Sequence, residues 1–227
     1  MSPVAETVDE VAAGLERVRR ELPATDGIKW FAWLYADVTA AIAEIYDGGG
    51  FEDPEFIGRM VVDFGNAFFA SVETGTPGSH AWQAVWERRH DDRVAPVQFA
   101  IAGLNAHVGY ELPNGLAGQW RDAGLTPARS TPAYRDYELI DATIAKVEPT
   151  AKHYLLTGAV KELDKVFAGA DDLVATWSVM AAREAAWAHA AAIWRLWDER
   201  EVLEPYLAAL DRSVGLVSRL LLVPTAV

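Results

Sequence analysis

Residues 90–116 read HDDRVAPVQFAIAGLNAHVGYELPNGL, and this stretch indicates the fold class of the protein. Its apolar residues recur every three or four places, which is the spacing of an α-helix with one buried face; they are Val97, Ile101, Leu104 and Val108. The same spacing runs through most of the chain, and no run of alternating apolar and polar residues indicates a strand. The sequence therefore predicts an all-α protein.

Helix-capping residues divide the chain into predicted helices. Ser2, Asp26 and Asp53 are expected to cap the first three, which end near residues 22, 48 and 75, and a proline follows both Ser2 and Asp53. Pro149 is expected to kink or split the helix over residues 131–163. The other helices are predicted at residues 79–90, 94–112, 113–123, 171–197 and 200–222.

The joints between the predicted helices are short, and no repeat or low-complexity linker separates two halves of the chain. Residues 1–227 are therefore expected to form a single domain. The chain is long enough to build a full core, and its 9 tryptophans supply large apolar surfaces. We expect a bundle of about eight to nine helices around an aromatic-lined pocket.

The composition excludes several classes of chemistry. The 227 residues include no cysteine, so the chain has no disulfide, no thiolate nucleophile and no cysteine-based metal site. A formal net charge of −13 repels phosphate backbones, and we expect no nucleic-acid partner. Acidic residues stand where a signal peptide would carry basic ones, and no apolar run reaches the length of a bilayer span. We therefore expect a cytoplasmic protein without a membrane partner.

Polar residues interrupt the apolar helix of the opening stretch. Asn105, His107 and Glu111 adjoin its apolar stripe, and His107 and Glu111 are four residues apart, so that they share one helical face. Such a pair is compatible with a solvated helix edge or with a core histidine that is satisfied by hydrogen bonds. It is equally compatible with a polar group at a binding or catalytic site, and the spacing leaves both interpretations open.

Two other predicted helices carry similar interruptions. Asp63 and Asn66 stand in RMVVDFGNAFFASV, and Arg183 and Glu184 stand in ATWSVMAAREAAWAHAAAIWRLW. A charge that is buried among apolar residues needs a partner, and the structural interpretation is an arginine–carboxylate contact that joins two helices. Because three helices carry such residues, we expect them to converge on one pocket.

Most of the tryptophans are expected to be core residues, but some of them are candidates for a pocket wall. Trp33, Trp177 and Trp187 are the residues that we expect to contact a substrate. An apolar pocket with a few converging polar groups is the usual form of a small-molecule site. An indole beside a carboxyl group favours the protonated carboxyl, which could then act as a general acid.

Three blocks of the sequence carry a resemblance to a known family. They read RRHDDRVAPVQFAIAGLNAHVGYELP, WSVMAAREAAW and SRLLL. They resemble a family of helical actinobacterial proteins that is classed as a domain of unknown function, and the resemblance covers nearly the whole chain. The family carries asparagine and aspartate where this sequence has Gly109 and Glu111, and aspartate where it has Glu184. Since the apolar residues are kept, the resemblance implies a site that is altered for another substrate.

The chain also resembles spiroacetal cyclases of polyketide antibiotic biosynthesis. This resemblance implies that a dihydroxyketone closes to a spiroacetal with loss of water, and that no cofactor and no metal ion takes part. Glu111 or Asp63 would then be the general acid, and the other carboxylate would stabilise the oxocarbenium ion. The residues that would orient these two groups or the substrate are Asn66, Asn105, His107, Arg183 and Glu184.

Two alternatives from other classes stay open at this stage. The first is a metal-dependent hydrolase that uses His107 and carboxylates as ligands. The second is a binding protein that holds a hydrophobic small molecule without transforming it. No GxSxG, P-loop, GxGxxG or HExxH motif favours any further class of enzyme. The expected partner is a hydrophobic polyketide, with a homodimer as a candidate assembly.

Overall fold

The computed structural model describes residues 4–157 and 178–224, and of residues 148–157 it describes only the backbone. Within these ranges the chain is helical and contains no strand, which confirms the all-α prediction. The α-helices are α1 (Val8–Glu21), α2 (Gly27–Asp47), α3 (Pro54–Thr74), α4 (His80–Arg88), α5 (Pro96–Ala106), α6 (Leu112–Asp122), α7 (Pro132–Thr157), α8 (Val179–Leu196) and α9 (Arg200–Leu221). A π-helix, His107–Glu111, joins α5 to α6.

Capping side chains fix most of the helix starts. Asp26 and Asp53 cap α2 and α3 as predicted, by accepting hydrogen bonds from backbone amides in the first turn. The first helix begins at Val8 and not at Ser2, because the Thr7 hydroxyl accepts from the amide of Glu10 and caps the helix there.

Three other boundaries also differ from the prediction. The helix predicted over residues 171–197 begins at Val179, after the N-cap residue Ser178, and residues 171–177 lie outside the described residues. The predicted break at Pro113 is absent, because the π-helix connects the two flanking helices. The helix α7 is not split at Pro149 and continues to Thr157, where the described residues end, and a kink at Pro149 stays a prediction.

The helices α2 and α5 form the centre of the core. Nearly every residue of α5 is buried, and Gly103 of α5 lies against Phe31 of α2. A Cβ atom at residue 103 would lie 2.7 Å from the Phe31 side chain, so only glycine permits this close approach. The glycine thus explains how two helices with large aromatic residues pack tightly against each other.

Two buried carboxylates hold helix starts from neighbouring elements. Asp136 of α7 accepts from the amides of Glu52 and Asp53, at 2.9 and 2.7 Å, before α3. Asp211 of α9 accepts from the amides of His80 and Ala81, at 3.0 and 2.7 Å, at the start of α4. Both carboxylates satisfy amides that have no partner within their own helix, and so they fix α3 and α4 relative to the C-terminal half.

The described surface includes an apolar stripe on the last helix. Leu216, Val217 and Leu220 are exposed on α9. None of the described helices has both the length and the apolar composition that a bilayer-spanning helix requires. The predicted homodimer stays a prediction.

Candidate functional site

Two polar residues of the opening stretch, His107 and Glu111, lie on the π-helical turn, whereas Asn105 lies in α5. The amide of Leu112 donates to the carbonyl of His107, five residues earlier in the chain. Pro113 has no amide hydrogen, and a proline ring crowds the carbonyl four residues before it. Both effects weaken ordinary α-helical hydrogen bonding here and favour the wider turn, which is often found at functional sites. The local sequence therefore explains the turn that carries His107 and Glu111.

His107 and Glu111 form a hydrogen-bonded pair on this turn. His107 Nδ1 lies 2.8 Å from Glu111 Oε2, which confirms the predicted contact. Glu111 Oε1 accepts a hydrogen bond of 2.8 Å from Trp82 Nε1, so both carboxylate oxygens are held. When Nδ1 donates to the ionised carboxylate, Nε2 of the neutral imidazole is left as an acceptor. No side chain or backbone group among the described residues bonds to Nε2.

Three aromatic rings surround the imidazole of His107. The ring centroids of Tyr35, Phe64 and Phe31 lie 4.8, 5.2 and 5.7 Å from the imidazole centroid. Burial, with a smaller contribution from the negative charge of Glu111, raises the pKa of Tyr35. The phenol therefore stays protonated and keeps a hydrogen-bond donor close to His107.

A cavity of about 90 Å³ adjoins this aromatic cluster. Its walls are apolar side chains of α2, α3, α5, the π-helix, α6, α7 and α8, including Val61, Leu104 and Ile140. The polar side chains in the wall are those of Tyr35, Thr39, His107 and Arg183. A water molecule occupies about 30 Å³ of liquid, so the cavity has room for roughly three waters or a small organic group. An apolar void with a few polar groups is typical of a small-molecule site, although most such sites are larger.

Arg183 brings a positive charge to the cavity wall from α8. Only 4% of its surface is exposed, and its Nε donates to the carboxylate of Asp141 on α7. The guanidinium also lies over the ring of Tyr137, with Cζ 4.1 Å from the ring centroid. Burial raises the pKa of Asp141, and the adjacent Arg183 opposes part of this increase. The predicted arginine–carboxylate contact between helices is therefore present, with Asp141 as the carboxylate.

The comparisons with known proteins identify a family for this chain. The model of DUF5995, described as a family of unknown function, matches residues 8–224. The chain belongs to DUF5995. The match includes every helix that lines the cavity, so the site lies inside the family region. Neither the curated proteins nor the solved structures contain a match to the chain. The predicted resemblance to a family of unknown function is confirmed, whereas the resemblance to spiroacetal cyclases has no support from these comparisons.

The structure of this DUF5995 protein brings His107 and Arg183 to the cavity, but it does not bring Asp63 there. Asp63 is exposed on α3 and accepts a hydrogen bond of 3.0 Å from Gln119 Nε2. Met60, Val61 and Phe64 form the cavity-facing side of α3, and residue 63 lies on a different side of the helix. The expected convergence of Asp63 with Glu111 is therefore wrong.

Three other predicted site residues of the DUF5995 chain have structural contacts away from the cavity. Asn66 binds the backbone amide and carbonyl of Ala5, both at 2.8 Å, and so holds the segment before α1. Asn105 donates to the carbonyl of Val214 and to the hydroxyl of Ser218 on α9, both at 3.1 Å. The third residue, Glu184, is exposed and forms an ion pair with Arg129.

Of the three tryptophans predicted for a cavity wall, the two that the structure describes, Trp33 and Trp187, do not line the cavity. Trp187 is buried among Trp120, Tyr134 and Tyr137, at centroid distances of 4.7 to 5.1 Å, and is a core residue. Trp33 is buried beneath the guanidinium of Arg19 and does not line the cavity. Trp177 lies outside the described residues. The aromatic part of the wall consists of Phe31, Tyr35 and Phe64.

The described residues offer no group of three or more histidine and carboxylate side chains that could hold a metal ion. Around His107 the only such neighbour in the described part of the chain is Glu111, and the Arg183 guanidinium already neutralises Asp141. The arrangement therefore provides two potential ligands at most. A structural zinc site requires four ligands and a catalytic one requires three, so this cluster does not match the metal-hydrolase alternative.

Tyr35 and Asp141 are site residues that sequence reasoning missed. Tyr35 stands in an apolar helix and reads as one more core aromatic residue. Asp141 stands in a helix with several charged residues, where a further carboxylate reads as a surface group. For Asp141 a signal existed, because the predicted burial of Arg183 required a carboxylate from another helix. Only the packing of α7 on α8 shows which carboxylate this is.

Proposed function

We propose that this protein is an enzyme that uses His107 as a general acid–base group on a small, mostly apolar substrate. One observation carries the proposal: His107 lines an apolar cavity while its Nδ1 is held by Glu111 at 2.8 Å. Because Nδ1 is occupied, Nε2 is the nitrogen that can exchange a proton with a bound molecule. Glu111 is a positioning residue that orients the ring and stabilises the imidazolium form.

The surroundings of the pair suit proton transfer. Trp82 holds the second carboxylate oxygen of Glu111, so the carboxylate is fixed before a substrate binds. Tyr35 remains a neutral hydrogen-bond donor and is placed to bind a carbonyl or hydroxyl oxygen of the substrate. The apolar wall excludes water and strengthens both interactions.

The reaction that we propose is the cyclodehydration of a dihydroxyketone to a spiroacetal. One hydroxyl adds to the ketone, and the resulting hemiacetal hydroxyl takes a proton from Nε2 of the His107 imidazolium and leaves as water. The second hydroxyl then attacks the oxocarbenium ion, and its proton returns to Nε2. The rings of Phe31, Tyr35 and Phe64 would face the cation, each contributing roughly 1 kcal/mol.

This assignment differs from the mechanism that the sequence predicts, because His107 replaces the pair of carboxylates. Asp63 is exposed and binds Gln119 outside the cavity. The proposed mechanism therefore uses no second carboxylate at the reacting carbon. The cavity of about 90 Å³ is sufficient for the reacting ketone and the carbons next to it. The longer arms of a polyketide would have to displace lining side chains.

Conversion of a short synthetic dihydroxyketone tests this proposal. We expect His107→Gln to lose about 100-fold or more in rate, since general acid–base catalysis contributes by that order. Glu111→Gln should lose less, because the imidazole keeps Nε2. The matched control is His90→Gln, at an exposed histidine that does not line the cavity.

Two results would contradict the proposal. Full activity of folded His107→Gln protein would remove this residue from the chemistry. Binding of the ketone without any conversion by the unmodified protein would favour the alternative of a binding protein for a hydrophobic small molecule. Mass loss of one water from the substrate distinguishes conversion from binding.

A further inference from the structure

Arg183 has hydrogen-bonding capacity that its known contacts do not use. A guanidinium carries five N–H donors. Nε donates to Asp141, and Nη2 lies 3.5 Å from the carbonyl oxygen of Tyr137, which is a long contact. Among the described residues no acceptor is bound to Nη1. Nη1 therefore has no acceptor among the described residues, on a side chain that is 4% exposed.

The side chain of Arg183 reaches the cavity. Arg183 lines the cavity wall together with Val179 and Ile144. In the described part of the chain, the polar side-chain atoms that are both inaccessible to solvent and without a partner belong to Gln119 and Trp194. Because Nη1 of Arg183 has no partner there and is not one of these atoms, it is accessible to a small molecule. A buried cation with accessible donors in an apolar cavity is a favourable site for an anion, because the surrounding low dielectric strengthens the attraction.

We propose that Nη1 of Arg183 binds the carboxylate of a small, mostly apolar acid inside the cavity. This inference rests on the proposed function and deepens it, since it adds a carboxylate to the substrate whose oxygen function meets His107. The apolar wall would hold the carbon chain between the two polar groups. The planar guanidinium favours a carboxylate over an alcohol or an amide, because only the carboxylate gains from the positive charge.

Charge balance makes this binding dependent on pH. Asp141 already neutralises Arg183, so a second carboxylate adds a negative charge near Asp141, whose pKa the negative charges of Glu138 and Glu184 also raise. Protonation of Asp141 relieves this repulsion, and its pKa is already raised by burial. Ligand binding should therefore be accompanied by uptake of a proton. Affinity should rise as the pH falls, as long as the ligand itself stays ionised.

Binding of butyrate and of butyramide to the full-length protein tests this inference. The two molecules have nearly the same shape and differ in charge. We expect butyrate to bind at least about tenfold more tightly than butyramide. Asp141→Asn should strengthen butyrate binding by about tenfold at neutral pH, because the competing carboxylate is lost, and should also remove the dependence on pH. A merely structural ion pair would not produce a gain in affinity.

Variants of the arginines provide the matched comparison. Arg183→Gln should abolish the preference for butyrate, whereas Arg59→Gln, at an exposed arginine that pairs with Glu55, should keep it. Thermal unfolding shows which variants are folded. If neither Arg183→Gln nor Asp141→Asn folds, the butyrate–butyramide comparison on the unmodified protein decides the question.

The outcomes separate this inference from the proposed function. Equal binding of butyrate and butyramide, or unchanged butyrate affinity in folded Asp141→Asn protein, would overturn the carboxylate site. The proposed conversion of a neutral dihydroxyketone would not be contradicted by either result. Conversely, His107→Gln should keep the preference for butyrate. Full turnover by this variant together with normal butyrate binding would overturn only the acid–base proposal.

Discussion

At the scale of single residues, His107 has one hydrogen-bonded nitrogen, Nδ1, and one nitrogen, Nε2, that has no partner among the described residues. Glu111 holds Nδ1, and the carboxylate is itself held by Trp82. A chain of two hydrogen bonds thus runs from an indole on α4 to an imidazole at the cavity. Each bond fixes the geometry of the next, and so the orientation of the His107 ring depends on a residue that does not line the cavity.

Trp82→Phe tests this chain of hydrogen bonds. The substitution keeps an aromatic ring against Phe31 but removes the donor to Glu111. We expect unfolding measurements to show a loss of about 1.5 to 3 kcal/mol, since the bond involves a charged group. The control is Trp194→Phe, because Trp194 Nε1 is buried without a partner among the described residues. Equal losses at both positions would mean that the bond to Glu111 contributes nothing.

The residue scale also shows what the sequence predicts well. The contact between His107 and Glu111 follows from a spacing of four residues, and burial of Arg183 follows from its apolar neighbours. Asp63 was predicted wrongly, because helical spacing alone does not show which side of α3 meets the cavity. Tyr35 was missed, because a tyrosine at a cavity and one in a core have the same sequence pattern.

At the scale of elements, the π-helix determines the direction in which the side chains of His107 and Glu111 point. A π-helical turn contains an additional residue compared with an α-helical path, and so it rotates the following residues around the helix axis. The side-chain nitrogen Nδ2 of Asn114 donates a hydrogen bond of 2.6 Å to the backbone carbonyl of Tyr110. This bond gives the carbonyl a partner within the irregular turn. The sequence signal for this turn is Pro113, which we interpreted as the start of a new helix.

Pro113→Ala tests the importance of the π-helix. Alanine restores an amide hydrogen and removes the crowding ring, so an ordinary α-helix becomes favourable. We expect higher thermal stability together with weaker ligand binding and slower turnover, because His107 and Glu111 would rotate away from their present positions. Slow hydrogen exchange of the new amide at residue 113 would show that this amide forms an α-helical hydrogen bond. Greater stability with unchanged turnover would show that the π-helix has no role in the site.

At the scale of the whole molecule, the cavity lowers the stability of the fold. A void of about 90 Å³ lowers stability by about 2 kcal/mol, which is a sizeable part of the 5–15 kcal/mol typical of a folded protein. The sequence predicts the all-α class and most helix boundaries, because they depend on local spacing and caps. It does not predict the cavity, which depends on how the side chains of several helices pack against each other.

Val61→Leu tests whether the void is present in solution. Val61 lines the cavity, so the added methylene fills empty space and should stabilise the protein by up to about 0.8 kcal/mol. The matched control is Val85→Leu, at a fully buried valine that does not line the cavity, where overpacking should cost about 1 to 3 kcal/mol. Equal destabilisation by both substitutions would contradict an open cavity at Val61.

The most direct test of the central claim is to follow the imidazole nitrogen resonances of all five histidines while a small ketone is added. The claim is that a ligand occupies the cavity beside His107. With saturating 2-butanone, we expect the Nε2 resonance of His107 to shift, and those of the exposed residues His80 and His90 to stay unchanged. Val61→Leu should weaken this response. Unchanged His107 resonances at saturation, or equal shifts at all five histidines, would contradict the claim.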